Sequence, residues 1–345
     1  MTKPCMASLA PEAVRAALQA MGQPAYRGDQ IFTQIHRGVG AFAEMQTLPK
    51  PLRQALDDAF TLPVCHPLER LVSQDGTQKF LLALHDGACI EAVRMEYQYG
   101  AAFCLSTQVG CRMGCKFCAS GEGGLQRNLT AGEMCAQVYT LMAGNAGGDK
   151  PQPPHSVVLM GCGEPLDNYE NTRQFLRIIA HPKGLNLGAR HITLSTCGLV
   201  PQIRALARER LQINLAVSLH APNDTLRREI MPIARRYTLE ETLAACRFYA
   251  DTTHRRITFE YALLEGFNDQ PAHANELAQV LRGLLCHVNL IPVNEGVGGF
   301  SPTRREGAHA FAAILEQRGI NTTVRRTIGA DVNAACGQLR ARPTG

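Results

Sequence analysis

After residue 100 the chain alternates between short apolar strands and amphipathic helices, and this alternation constrains its fold more than any other feature. The pattern forms six βα units and ends with a short predicted strand at Thr322–Arg325. Such alternation predicts a parallel sheet with right-handed crossovers, and six units predict a partial (β/α)6 TIM-like barrel because a closed one needs eight. The predicted strands are Ala102–Thr107, Ser156–Met160, His191–Ser195, Ile213–Leu219, Arg256–Leu263 and His287–Ile291. The predicted helices are Thr130–Met142, one through Ile179, one to Arg210, Leu239–Ala250, one to Leu285 and Thr303–Arg318.

A small helical module is predicted at residues 1–62. Apolar spacing indicates helices at Pro11–Leu18, from Gln30 onward and from Leu48 to near Phe60. The module either caps the barrel or binds nucleic acid, and the sequence leaves both functions open. Few basic residues are available for nucleic-acid binding: Arg15, Arg27, Arg37, Lys50 and Arg53.

A β meander is predicted at residues 63–100, between the helical module and the barrel. Its strands are Leu68–Ser73, Lys79–Leu84 and Cys89–Met95, separated by two Asp-Gly pairs. Asp-Gly between apolar runs is a typical hairpin turn. The remaining residues, 101–345, are predicted to hold the barrel and a C-terminal segment.

Cys111, Cys115 and Cys118 follow the first barrel strand with the spacing C-x3-C-x2-C. Iron–sulfur clusters take soft thiolate ligands from loops of this kind, and three ligands leave one iron open for a substrate. A structural zinc site normally has four ligands, often as two C-x2-C pairs, and no second pair follows here. Buried inert cysteines are common, but they seldom take this spacing. The loop therefore predicts a cluster with an open iron.

The composition indicates a protein of the reducing cytosol. No stretch of Met1–Pro11 looks like a signal peptide, and no apolar run reaches membrane-spanning length, so no membrane partner is predicted. Thirteen cysteines, an odd number, exclude a complete disulfide framework. The net charge of +5 permits a polyanionic partner without requiring one, and the absence of Trp argues against a base-stacking platform.

Polar residues recur after successive barrel strands, where barrel enzymes place their active sites. They are Gly163-Glu164, Ser195, Ser218-Leu219-His220 and Asn294. Glu164 could hold an ammonium group by charge-assisted hydrogen bonds, and the serines and the asparagine could hold hydroxyl groups and base edges. Each residue alone would be read as a turn or capping residue, but their recurrence predicts one shared pocket.

Two more cysteines lie outside the loop. Cys104 is in the first barrel strand, where a buried cysteine is the default interpretation. Cys336 lies past the last barrel element in a segment of small residues, where a lone cysteine has little packing purpose.

Six motifs, taken in order, resemble a known family. They are Cys104–Leu129, Gly163–Asn168, Ser195–Gly198, Ser218–Ala221, Asn289–Asn294 and Ala334–Leu339. Together they resemble the RlmN-type radical S-adenosylmethionine (SAM) methyltransferases, which methylate carbon 2 of an adenine in 23S rRNA. Many members also act on the tRNA adenine 3′ of the anticodon. The resemblance spans nearly the whole chain and implies a radical SAM barrel in a cytoplasmic enzyme.

The resemblance also implies a role for each candidate residue. Cys111, Cys115 and Cys118 would ligate a 4Fe–4S cluster, which an electron-donating reductase or flavodoxin would reduce. Residues expected to contact SAM are Gly163, Glu164, Ser195, Ser218, Leu219, His220 and Asn294. Cys336 would carry the methyl group as S-methylcysteine, Cys104 would resolve the protein–RNA adduct, and Glu91 would accept the ring proton. Without the resemblance, Glu91 would be read as a solvated strand residue.

The implied chemistry suits an electron-poor ring carbon, which cannot attack a sulfonium methyl group. A first SAM methylates Cys336, and the deoxyadenosyl radical from a second SAM takes a hydrogen atom from that methyl group. The carbon radical adds to the base and forms a covalent adduct. After loss of the ring proton, Cys104 displaces the sulfur of Cys336 by forming a disulfide, which external thiols reduce.

Two other functions stay open at this level. A Cfr-type enzyme would methylate carbon 8 of the same rRNA adenine, although Gly163–Leu166 and Ile291-Pro292 look more like the carbon 2 enzymes. A non-catalytic RNA-binding protein with a structural cluster would leave Cys104 and Cys336 idle.

Cys162 departs from the usual methionine of the family. Candidate phosphate contacts are Arg127, Arg227, Arg228, Arg304, Arg305, Arg325 and Arg326.

Overall fold

The computed structural model describes residues 3–144, 151–293, 299–326, 328–334 and 337–339, in which twelve strands and ten α-helices follow one another. The strands are β1 His66–Val72, β2 Gln78–Ala83, β3 Cys89–Tyr97, β4 Gly100–Cys104, β5 Gln108–Gly110, β6 Leu125–Asn128, β7 Ser156–Leu159, β8 Ile192–Thr196, β9 Asn214–Ser218, β10 Ile257–Leu263, β11 Cys286–Pro292 and β12 Thr322–Val324. The helices are α1 Pro11–Ala20, α2 Ala25–Ile35, α3 Lys50–Ala59, α4 Ala131–Ala143, α5 Tyr169–Ala180, α6 Val200–Arg208, α7 Asp224–Ile230, α8 Leu239–Thr253, α9 Pro271–Val280 and α10 Arg305–Gln317.

Ten of the strands form one open sheet in the order β1-β2-β3-β4-β7-β8-β9-β10-β11-β12. Strands β1 to β4 pair antiparallel, and every neighbouring pair from β4 to β12 is parallel. Within the described residues no ladder joins β12 back to β4. The parallel part is therefore the partial barrel that the alternation predicts, with six βα units followed by β12.

Three elements near the cysteine loop are absent from the sequence prediction. Strands β5 and β6 form a separate antiparallel hairpin, and β5 has only three residues, too few to show a strand period. Helix α7 spans two turns and begins after Asn223, whose side chain accepts a hydrogen bond from the Leu226 N–H at 3.0 Å.

The meander forms as predicted, and its turns use the expected glycines. Gly76 and Gly87 have φ angles of +85° and +82°, which glycine adopts without steric cost. In the helical module, helix α2 begins at Ala25 rather than at Gln30. A Cβ at Gly28 would lie 2.7 Å from the Arg15 Cα, so this glycine permits close packing of α1 on α2 and does not end a helix.

One hydrophobic core runs from the helical module through the sheet to the last helix. Its fully buried side chains include Phe32 in α2, Phe103 in β4, Tyr261 in β10 and Phe311 in α10. A second, smaller cluster on the other side of β3 and β4 contains Cys104 and Leu339. Among the described helices, none has the length and apolar character needed to span a membrane.

Candidate active site

The cysteine loop is held by backbone hydrogen bonds at both sides. Strands β5 and β6 close it at the base, where the Cys111 N–H donates to the Gly124 carbonyl at 3.0 Å. Within the loop, the Lys116 N–H donates to the Ile230 carbonyl at 2.9 Å, which ties the loop to the end of α7. These hydrogen bonds fix the loop to the β5–β6 hairpin and to the end of α7.

A cavity with an empty volume of about 1040 Å³, part of it open to solvent, lies between the cysteine loop and the carboxyl ends of the parallel strands. All three cysteines of the loop line it. It is also lined by these predicted SAM contacts: Gly163, Glu164, Ser195, Ser218 and His220. The predicted shared pocket is therefore present in the fold. The side chain of Leu219 is buried in the core and does not line the cavity, and Asn294 lies outside the described residues.

Two thiols of the loop, those of Cys111 and Cys115, have pKa values raised by burial. Burial raises the pKa of Cys111 to about 12 and the pKa of Cys115 still further, and neighbouring thiols and Glu164 act in the same direction. Metal ligation deprotonates a thiol outright, so cluster assembly would release protons. We expect assembly to be favoured by alkaline conditions for this reason.

Glu164 is a buried carboxylate at the centre of the cavity wall. Burial raises its pKa, while hydrogen bonds act to lower it: Oε1 accepts from the Leu166 N–H at 3.0 Å and Oε2 from the Cys197 N–H at 2.7 Å. The side chains of Thr196 and Cys197 also hydrogen-bond to this carboxylate. It lines the cavity and, when ionised, attracts an ammonium group. The geometry fits the ammonium ligand that the sequence predicts.

His220 follows β9 in a left-handed conformation, with a φ angle of +57°. Its Nδ1 accepts a hydrogen bond from the Ala262 N–H at 2.8 Å, and burial lowers its pKa to about 3. A neutral imidazole that accepts at Nδ1 carries its proton on Nε2. Its ring packs edge-on against Phe117 of the cysteine loop, with centroids 4.6 Å apart, so it supports the loop as well as the cavity.

Glu91 lies on β3 and is buried, with 3% of its side chain exposed, so it is not a solvated strand residue. Its Oε1 lies 3.4 Å from Nζ of Lys79, which is also buried. The Glu91 carbonyl accepts from the Ser106 hydroxyl at 2.7 Å, and that hydroxyl accepts from the Cys162 N–H at 2.9 Å. A network of hydrogen bonds thus connects the Glu91 backbone with the cavity-lining turn at Gly161–Glu164.

Cys336 itself lies outside the described residues, but the residues on both sides of it are well placed. On one side, the Ala119 N–H of the cysteine loop donates to the Gly337 carbonyl at 2.7 Å, and the Ser120 hydroxyl donates to the Leu339 carbonyl at 2.7 Å. On the other side, Ala334 packs against the small cluster that holds Cys104 and Leu339. No disulfide occurs among the twelve cysteines that the structure describes.

Sequence reasoning missed two residues of the site. Gln108 accepts from the Glu164 N–H at 2.8 Å and donates to Asp167 at 2.8 Å, so it holds the Gly163-Glu164 turn. Glu260 lines the cavity from β10, and its Oε2 accepts from the Asn289 amide at 2.8 Å. Glu260 stands between Phe259 and Tyr261 in an otherwise apolar predicted strand, and this position could have marked it in the sequence as a candidate site residue.

One predicted phosphate contact is wrong. Arg227 is completely buried on α7 and donates to the Cys197 carbonyl at 2.9 Å, because this side of α7 faces the barrel and not solvent. Arg127 is engaged by Asp86 at 2.6 Å and by Glu133 at 2.9 Å, which reduces its free charge. Arg325 lines the cavity. The remaining predicted arginines are exposed: Arg228, Arg304, Arg305 and Arg326.

The three loop cysteines supply the soft thiolate ligands that a 4Fe–4S cluster takes, and all three line one cavity. In the part of the chain that the structure describes, no group of three or more His, Cys, Asp or Glu side chains could hold one ion. The cysteines of a cluster bind different irons, so they need to surround a cavity and not a point. Cys111, Cys115 and Cys118 meet that requirement.

A parallel partial barrel with three loop cysteines over its strand ends is the arrangement of a radical SAM enzyme, and residues 105–278 match the Radical SAM superfamily. The fold is similar to that of a radical SAM methyltransferase from Sphaerobacter thermophilus, with a TM-score of 0.92 and 47% identity over 97% of this chain and 99% of that chain.

Relatives with similar sequences cover nearly the whole chain. A protein of Alkaliphilus oremlandii named probable dual-specificity RNA methyltransferase RlmN is 49% identical, with 99% of each chain covered. A protein of the same name from Clostridium tetani is 50% identical over 92% of this chain and 90% of its own length. The chain therefore belongs to the RlmN-type family of radical SAM methyltransferases. Membership implies SAM and a 4Fe–4S cluster as cofactors.

Proposed function

We propose that the chain methylates carbon 2 of an adenine in 23S rRNA and of the tRNA adenine 3′ of the anticodon, with Cys336 as the methyl carrier. The observation that carries the proposal is the position of the residues next to Cys336, which contact the cysteine loop through Gly337 and pack with Cys104 through Ala334 and Leu339. The name shared by the relatives, dual-specificity RNA methyltransferase, supports RNA as the substrate. Methylation of carbon 8 is the alternative.

Different residues of the chain would bind the cluster and bind SAM. Cys111, Cys115 and Cys118 would hold a 4Fe–4S cluster, which supplies the electron for reductive cleavage of SAM. Gly163, Glu164 and the polar strand-end residues would orient SAM in the cavity. Among these, the buried carboxylate of Glu164 would take the ammonium group, and the Nε2–H of His220 would be free to donate.

Cys104 and Glu91 would act after the base is bound to Cys336. Glu91 would accept the ring proton, and the unpaired electron of the adduct would return to the cluster held by the three loop cysteines, which leaves a closed-shell thioether. The Cys104 thiolate would then attack the Cys336 sulfur, so that an S–S bond forms and the S–C bond to the base breaks. The electron pair of that bond stays with the carbon, which takes up a proton to become the methyl group, and external thiols reduce the disulfide.

Compartment and partners follow from this chemistry. Thiol turnover of this kind requires a reducing compartment, so we place the protein in the cytoplasm, with a reductase or flavodoxin as the electron donor. The division into residues 1–62, 63–100 and 101–345, with RNA binding by the first, is part of the proposal. In the helical module Arg15 is paired with Asp29 at 2.8 Å, so fewer basic residues are free there than the sequence suggests.

The test is the Cys104→Ala variant, purified from cells and run on a denaturing gel with and without ribonuclease. Because no thiolate would displace the sulfur, the variant should carry RNA covalently bound to the protein, and the Cys104→Ala/Cys336→Ala double variant should not. Cys89→Ala, which replaces a buried cysteine on the neighbouring strand β3, is the matched control and should turn over normally.

Normal turnover by Cys104→Ala would contradict the proposal, since Cys104 would then be only a buried strand residue. Mass spectrometry of rRNA and tRNA nucleosides from a deletion strain decides the position of the methyl group. Loss of 2-methyladenosine is expected from both RNAs, whereas loss of 8-methyladenosine would support the alternative.

A further inference from the structure

Hydrogen bonds join the turn between β1 and β2 to residues 328–334, which precede Cys336. Each of the two segments supplies one aspartate that accepts them. Asp331 accepts from the Ser73 hydroxyl at 2.6 Å and from the Gln74 N–H at 3.2 Å. In return, Asp75 accepts from the Gly329 N–H at 2.9 Å. Each segment therefore gives one carboxylate to the other, and the two segments are fixed to each other in both directions.

The backbone at Gly329 is packed closely against the same turn. Its φ angle is +64°, and a Cβ there would lie 2.8 Å from the Ala334 Cβ and 3.0 Å from the Thr77 Cγ2. Only glycine satisfies both the left-handed conformation and the short approach. The two segments therefore pack closely against each other at a position where a larger residue would not fit.

Lys79, on β2 next to this turn, connects the C-terminal residues to Glu91. Its Nζ lies 3.4 Å from Glu91 Oε1 and donates to the Asn333 carbonyl at 3.2 Å. Only 6% of the Lys79 side chain and 3% of the Glu91 side chain are exposed. A buried ion pair contributes little to stability compared with apolar residues of the same volume, so stability alone does not explain its presence here.

We propose that the β1–β2 hairpin is the docking platform for the segment that carries Cys336, and that Lys79 is the positioning residue that places this segment against Glu91. The inference rests on the proposed function, because it takes Cys336 as the methyl carrier and Glu91 as the proton acceptor. Lys79 contacts both the buried Glu91 carboxylate and the Asn333 carbonyl, so one side chain fixes the base and the segment relative to each other. Proton removal from the adduct therefore requires the docked segment.

The first test compares Lys79→Met and Lys79→Arg in the reconstituted full-length enzyme with SAM and a transcribed tRNA substrate. Lys79→Met should lower kcat at least tenfold with KM for the tRNA within twofold, and SAM cleavage should stay within twofold. Covalent protein–RNA adduct should accumulate, as it should in Glu91→Gln. Lys79→Arg keeps a cationic donor and should retain more activity than Lys79→Met. Lys183→Met, which removes a lysine paired with Asp29 at 2.7 Å, is the control and should behave as wild type.

The second test uses Asp331→Ala, which replaces an exposed residue and so leaves the core intact. It should lower kcat at least threefold with an unchanged melting temperature, whereas the exposed control Asp58→Ala should not. Equal loss of SAM cleavage, KM and kcat in Lys79→Met would show a general structural role and overturn the inference. So would unchanged kcat in both Lys79→Met and Asp331→Ala.

Failure of the proposed function would be visible separately. If Cys104→Ala forms no RNA adduct, the methyl-carrier mechanism itself is wrong, whatever the Lys79 variants do. If Cys104→Ala forms the adduct but Lys79→Met turns over normally, only the role of Lys79 is wrong.

Discussion

Gly110, the last residue of β5, is the position where a single methyl group should most disturb the cysteine loop. Its φ angle is +78°, and a Cβ there would lie 1.9 Å from the Gly124 carbonyl oxygen. That oxygen accepts the Cys111 N–H at 3.0 Å, so it cannot move away without breaking the bond that closes the loop. Gly110→Ala therefore combines backbone strain with a clash that no side-chain rotation relieves.

Gly123 provides a control for the strain alone, because its φ angle is +85° and a Cβ there would meet nothing within 4 Å. Alanine in the left-handed region costs about 1–2 kcal/mol, of which about 0.4–1 kcal/mol is offset by the reduced freedom of the unfolded chain. The clash adds about 1–3 kcal/mol. We expect the free energy of unfolding to fall by about 2–4 kcal/mol in Gly110→Ala and by about 1 kcal/mol in Gly123→Ala.

Calorimetry of the cluster-free protein measures the difference. For one cooperative transition of 345 residues, the entropy of unfolding is about 0.7 kcal/mol per degree, so Gly110→Ala should lower Tm by about 3–6 °C and Gly123→Ala by about 1 °C. Iron content after anaerobic reconstitution should fall in Gly110→Ala only, since only that variant displaces the loop. Equal Tm shifts and equal iron contents in the two variants would refute the reasoning.

Three further predictions concern the cluster, the RNA and the pH dependence of stability. Cys111→Ala, Cys115→Ala and Cys118→Ala should each lose the cluster and all SAM cleavage, and an iron-replete variant that still cleaves SAM would contradict the ligand assignment. RNA affinity should fall about tenfold or more between about 50 and 200 mM salt, measured by filter binding, and a salt-independent affinity would argue against phosphate contacts. Burial lowers the pKa of His36 to about 3. Between about pH 6.5 and pH 3 the unfolded chain therefore binds a proton at His36 that the folded chain does not bind. Stability should therefore fall on acidification by about 1.4 kcal/mol per pH unit from this residue, and urea unfolding should show a smaller fall in His36→Leu.

Local sequence patterns were sufficient for the barrel and for the shared cavity at its strand ends. The period of apolar residues reports which face of a strand or helix is buried, so the six βα units and the three meander strands were predictable. The spacing of the three cysteines is likewise a local property. Parallel strands joined by helices place their carboxyl ends at one edge of the sheet, and Glu164, Ser195 and Ser218 line one cavity there.

The tertiary structure alone decided which charged residues are buried. In the sequence, Arg227 lies among polar residues and would be expected at the surface. It is buried in the structure because α7 directs its side chain toward the Cys197 carbonyl. Lys79 and Glu91 sit on adjacent strands, and nothing local to either shows that residues near Asn333 cover them. Burial of a charge depends on partners supplied from far along the chain, and the contact between Asp331 and the turn at Ser73 joins residues that no local period relates. The sequence therefore determined the barrel units, the meander strands and the cysteine spacing, whereas the fold determined the β5–β6 hairpin, helix α7 and the long-range contacts that position the C-terminal segment.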